Sequence, residues 1–233
     1  MVRRLGLLGG MSWESSVEYE RLINQAVRAA LGGVASADLL VRSFDFAEVE
    51  ALQAADRWDD AGALLAEAAQ VLVAGGAEGI VICTNTMHRV HDAVASAVAP
   101  VPVLHIADAT AAAVQAAGVT TVGLLGTRFT MEQDFYVGRL RDEHGLDVLV
   151  PDADDRDLVH RVIYDELVQG VISPASRQAY QDVVARLVDR GAAGVIAGCT
   201  EIELLVGTAD VPVPFFPTTR LHAEAAAAFA LGG

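Results

Sequence analysis

The feature that most constrains the fold of this chain is a repetition. The segment VRRLGLLGG at 2–10 has a counterpart in VTTVGLLGT at 119–127, with Gly123 standing where Gly6 does. GAEGIVICT at 76–84 is matched by GAAGVIAGCT at 191–200, which carries one extra residue near Gly198. VPVLHIADAT at 101–110 is echoed by VPVPFFPTTR at 211–220. Short motifs such as GLLG and VPV recur by chance among buried strands. A Cys-Thr pair at the same place in both halves, with three blocks in the same order, argues instead for an internal duplication. Each half then holds a compact set of elements of its own.

Those elements alternate short apolar runs with longer helical stretches. Arg4–Leu8, Leu39–Val41 and Gly79–Cys83 read as strands, and Val101–Ile106 reads as a strand interrupted by Pro102. Ser12 is placed to cap a helix carrying Glu14 in its first turn. An apolar stripe of Trp13, Val17, Ile23, Val27 and Leu31 follows, and Gly32-Gly33 stops it. A second stripe, Trp58, Ala61, Leu65, Ala68 and Leu72, ends at Gly75-Gly76. Strands with little polar alternation, separated by helices, indicate parallel sheets covered on both faces. The fold class expected is α/β: two similar parallel-sheet lobes related by pseudo-two-fold symmetry; if the lobes face each other, the cleft between them would hold the active site. The boundaries expected are 1–100 plus 211–233 for the first lobe and 101–210 for the second.

Composition removes several functions. The basic residues number 16 and all are Arg, against 31 acidic residues, for a net charge of −15. Without Lys there is no Schiff-base anchor for pyridoxal phosphate and no P-loop lysine. The acidic balance argues against a nucleic-acid partner. No run of about 18 apolar residues is present, so no membrane partner is expected. The apolar run at the start is short and meets Glu14, which does not make a signal peptide. Two Cys in 233 residues do not make a secreted disulfide scaffold, and a cytoplasmic location is expected.

The chemistry centres on Cys83 and Cys199. Each ends a buried strand and is followed by Thr and a predicted helix, and ligands of open α/β sheets bind at the carboxyl ends of strands. A helix N-terminus there would stabilise a thiolate or hold a carboxylate. Two thiols on opposite faces of a carbon would suit inversion of a stereocentre, one removing a proton while the other returns one. The alternative is that both are ordinary buried cysteines. Asn85 and Thr86 are equally placed to cap the following helix. His88 and His91 are spaced for a metal, but no further ligand cluster supports one, and surface or helix-lining roles are expected for them.

Four segments carry a resemblance: GGMSWESS at 9–16, CTNTMH at 83–88, LLGTRFTMEQDFY at 124–136 and GCTEI at 198–202. Together they are similar to the aspartate/glutamate racemase family over essentially the whole chain, and most resemble its bacterial broad-specificity branch. The resemblance implies a cofactor-independent amino-acid racemase, with no metal, an amino-acid substrate and a homodimeric state. Cys83 and Cys199 would be its acid/base pair. Thr84, Asn85, Thr86 and Thr200 would hold the substrate carboxylate, with Met11 and Thr127 lining the cleft. Glu201 replaces the His that glutamate racemases usually carry after the second Cys-Thr, and Gly10-Met11-Ser12 stands where they carry Asp-Ser. Glu201 would either tune the Cys199 thiol or sit at a helix N-terminus. Arg161, in Arg161-Val-Ile-Tyr164, occupies the place of a side-chain-binding base, and Gln53 the place of a second one. A solvated helix position between Asp157 and Asp165 is the other reading of Arg161. Hydantoin racemase or maleate isomerase chemistry, and a two-lobed amino-acid-binding sensor without turnover, remain as alternatives.

Overall fold

The structure is a computed structural model and describes residues 2–233. It divides into two compact units, one running to Ile106 and resuming at His222–Gly233, the other spanning Ala107–Leu221.

In the first unit β1 (Leu5–Gly9) is followed by α1 (Trp13–Leu31), β2 (Leu39–Ser43), α2 (Phe46–Ala54), α3 (Trp58–Ala74) and β3 (Gly79–Ile82). A 3₁₀ turn at Thr86–Val90, α4 (His91–Val98), β4 (Val103–Leu104) and the start of α5 (Ile106–Ala116) complete it. The four strands are parallel in the order β2-β1-β3-β4. Every residue of β1 and β3 is buried, which explains their unbroken apolar sequence.

The second unit repeats this plan. It contains β5 (Thr121–Gly126), α6 (Arg128–Glu132), α7 (Asp134–Asp142), β6 (Asp147–Leu149) and α8 (Ala153–Asp165). A 3₁₀ turn at Leu167–Gln169 follows, then α9 (Pro174–Asp189), β7 (Val195–Gly198), α10 (Ile202–Leu205), β8 (Phe215–Pro217) and the first residues of α11 (Thr218–Leu231), the rest of which belongs to the first unit. Its strands are parallel in the order β6-β5-β7-β8, the same as in the first sheet. The glycines of the repeated block have a packing reason in both halves. A Cβ on Gly6 would lie 2.7 Å from Ile80 Cδ1, and one on Gly123 would lie 2.9 Å from Leu187 Cδ1.

Three details differ from the sequence reading. The unit boundaries fall at 106 and 221 rather than 100 and 210. The cause is strand pairing: β4 pairs with β3, and β8 pairs with β7. The α1 stripe is also rotated. Trp13, Val17 and Leu31 are exposed, while Tyr19, Leu22, Ile23 and Val27 are buried. Tyr19 supplies the missing anchor, packing in one core cluster with Leu5, Leu7, Val81 and Cys83, and with Ala223, Ala226, Ala227 and Ala230 of α11. Finally, Val101–Ile106 contributes only two strand residues before α5 begins. No helix among the described residues is long and apolar enough to cross a membrane.

Candidate active site

The first cysteine turn extends a buried ladder by one residue. The Cys83 backbone N–H donates to Leu8 O at 2.9 Å, and the Thr84 N–H to Ile82 O at 2.9 Å. The Cys83 side chain is fully buried, and its thiol reaches the Val81 carbonyl at 3.8 Å. Burial alone pushes this thiol far above its ordinary pKa. Asn85 and Thr86 are buried beside it. Gln53, on α2, is drawn to the same turn, where its Nε2 donates to Met87 Sδ at 3.0 Å.

The second turn has different chemistry. Cys199 is partly exposed, and its thiol donates to Glu201 Oε2 at 2.9 Å. Glu201 is itself buried. Burial raises the Cys199 thiol well above its ordinary range, and the Glu201 charge raises it further. Thr200 pairs its hydroxyl with that of Thr219 at 2.7 Å, tying the turn to the first residues of α11. Thr218 donates to the Ala197 carbonyl at 2.8 Å, which seats that helix on the end of β7.

The loops after β1 and β5 also correspond. Ser12 caps α1 by accepting from Ser15 N, and Thr127 caps α6 by accepting from Thr130 N. Hydroxyl pairs accompany both caps, Ser12–Ser15 at 3.3 Å and Thr127–Thr130 at 3.2 Å. Met11 is buried next to the first cap.

Two expectations need correction. Neither cysteine is followed directly by a long helix. A five-residue 3₁₀ turn follows the first and the four-residue α10 follows the second. So short a helix has a weak dipole, and an anion held at these turns would rest mainly on their hydroxyl, amide and N–H groups. Of the surface and helix-lining roles expected for His88 and His91, the surface one does not hold for His88, and His91 is only partly exposed. His88 is 2% exposed, and its ring lies 4.6 Å from that of His105 and 5.5 Å from that of His222. Sequence reasoning missed this cluster because His105 and His222 lie far from His88 along the chain. Every ring nitrogen of His88, His91 and His222 is taken by a hydrogen bond, so the cluster does not converge on a metal. Asp108, Glu143 and His144 approach one another, but Arg139 already grips both oxygens of Asp108 at 2.6 and 2.8 Å.

Arg161 is exposed on α8. Asp157, one of the two acidic neighbours expected beside it, is taken by Arg128 at 2.7 Å.

The comparisons with known proteins agree with this picture. The Asp/Glu/Hydantoin racemase family matches residues 8–226, and the chain belongs to that family. A Yersinia pestis protein crystallised as a candidate Asp/Glu racemase is 53% identical, with a TM-score of 0.93, over 98% of this chain and 99% of that one. An aspartate racemase homologue from Pyrococcus horikoshii is 32% identical, with a TM-score of 0.85, over 98% and 99% of the two chains. The Picrophilus torridus aspartate racemase shares the fold at 19% identity, with a TM-score of 0.76 over 98% of this chain and 94% of that one. Family membership supports racemase or isomerase chemistry on amino acids as the general activity.

Two outcomes follow from the site. Glu201→Gln keeps the hydrogen-bond acceptor and removes the charge beside Cys199. In a Cys83→Ser background, the pH profile of Cys199 alkylation by iodoacetamide is expected to move to lower pH. An unmoved profile would show that Glu201 does not tune this thiol. The second outcome concerns His88, which burial holds well below the ordinary His pKa, with His222 adding to the effect. The unfolded chain binds that proton below about pH 6.5, while the folded chain refuses it. The unfolded state then binds more protons, so stability is full above that pH and falls as pH drops. Urea midpoints at about pH 7.5 and pH 5.5 are expected to show a smaller fall for His88→Asn than for the wild type.

Proposed function

We propose that this protein is a pyridoxal-phosphate-independent amino-acid racemase in which Cys83 and Cys199 work on opposite faces of the substrate Cα. The observation that carries the reading is the pair of Cys-Thr turns, each directly after the equivalent buried strand of a repeated unit.

Thr84, Asn85, Thr86 and Thr200 supply donors for the substrate carboxylate. Met11 and Thr127 shape its surroundings from the loops after β1 and β5, and Gln53 and Arg161 address the substrate side chain. In one direction Glu201 takes the Cys199 proton. The thiolate removes the Cα proton, and the Cys83 thiol delivers its own proton to the other face. The cycle leaves Cys199 protonated, Cys83 as thiolate and Glu201 as carboxylic acid, and solvent restores the starting state. Two bases are needed because a proton returned from the face it left regenerates the same enantiomer. The carbanion is stabilised by donors already in place when the charge develops. The absence of Lys from the chain supports a route without a covalent aldimine.

The reading leads to a panel experiment. D- and L-amino acids, acidic, polar and apolar, are incubated with the protein and separated by chiral chromatography. At least one pair is expected to interconvert in both directions. Cys83→Ser and Cys199→Ser are each expected to lower that rate by about three orders of magnitude or more. Full racemisation by either variant would overturn the two-thiol mechanism. Binding without turnover across the panel would favour a sensor.

A further inference from the structure

His88 lies four residues beyond Thr84, on the 3₁₀ turn that follows Cys83. The Ile106 N–H donates to its Nε2 at 3.1 Å, so that nitrogen acts as acceptor. The proton of the neutral ring then sits on Nδ1, which donates to the Thr84 carbonyl at 2.8 Å. This carbonyl belongs to the Thr84–Asn85 peptide, one peptide beyond the candidate catalytic cysteine, so the ring fixes the orientation of the turn that follows Cys83.

The other end of the ring grips a segment that two further imidazoles also hold. His91 Nε2 donates to Val103 O at 3.3 Å, and His222 Nε2 donates to Leu104 O at 3.0 Å. Tyr19 donates its hydroxyl to His222 Nδ1 at 2.8 Å, which fixes that ring as well. The His105 ring packs 4.6 Å from His88 and 4.7 Å from His91. Residues 103–106 are thus clamped where the chain leaves the first unit. The second half lacks this device. The residue five places after Cys199 is Leu204, which is 56% exposed, and the Thr200–Thr219 hydroxyl pair braces that turn instead.

We propose that His88 is a positioning residue for Cys83, holding the Cys83–Thr84 turn in register with the segment 103–106. The proposal rests on the racemase reading for its catalytic consequence, but not for its geometry. His88 acts through the backbone and does not itself exchange a proton with substrate.

The two hydrogen bonds can be separated by isosteres. His88→Asn places an amide N–H near the position of Nδ1 and abandons Ile106. His88→Gln places a carbonyl near the position of Nε2 and abandons Thr84. A general structural role would make activity follow folding stability in both variants. Positioning of the turn makes it follow the Thr84 bond. His88→Gln is expected to lower kcat about tenfold or more with KM changed less than about twofold, while His88→Asn stays within about threefold of wild type in kcat. Equal loss in both variants, or a His88→Gln enzyme with wild-type kcat, would overturn the proposal. If the wild-type chain racemises nothing, the function reading fails by itself. The alkylation rate of Cys83, followed by mass spectrometry in a Cys199→Ser background, then decides the positioning question. His88→Gln is expected to change that rate by at least about threefold and His88→Asn to preserve it. Equal rates in the two variants would contradict it.

Discussion

Both cysteines stand one residue beyond a strand that is buried along its whole length, and that burial governs everything else in the site. A thiol shut away from water keeps its proton, and both thiols here are pushed above their ordinary range for that reason first. A chain that uses such thiols as acids starts with an advantage. A chain that uses them as bases must surround them with groups that accept or stabilise charge at the moment of reaction. The parallel sheet makes this feasible. Its strands end together at one edge, and the irregular turns beyond them carry polar groups without disturbing the core.

The two halves meet this requirement differently, although their strand orders are identical. Glu201 gives Cys199 a carboxylate acceptor within hydrogen-bonding distance. The corresponding position after Cys83 holds Asn85, a neutral amide, and the turn there is held by the His88 ring, whose hydrogen bonds fix a neutral tautomer. The two halves keep the same framework, while the groups in the turns after each thiol differ. Such a difference suits the proposed reading, in which each thiol serves a different face of the substrate.

Much of the fold was legible because buried parallel strands leave a dense apolar signature. The repeated blocks marked the two units, and Cys-Thr after the third strand of each marked the turns. The α3 stripe from Trp58 to Leu72 is buried as its spacing indicates. The α1 stripe differs from its spacing because Tyr19 and Leu22 face the core while the more apolar-looking Trp13 and Val17 are exposed. The unit boundaries failed for a related reason: β4 and β8 are two and three residues long, too short for periodicity to assign to a sheet. The histidine cluster was invisible because its members are joined only by tertiary contacts. The Cys199–Glu201 contact, by contrast, is local, and the sequence already placed a carboxylate two residues from a thiol.

The central claim is that one group removes the Cα proton and a different group supplies its replacement. Initial rates in D₂O, measured on the wild-type protein from each pure enantiomer in turn, test it most directly. The account requires solvent deuterium to appear in the product enantiomer while the remaining substrate keeps its protium at early times, in both directions. Deuterium entering the unconverted substrate as fast as product forms would mean that a single group serves both faces, and would contradict the account.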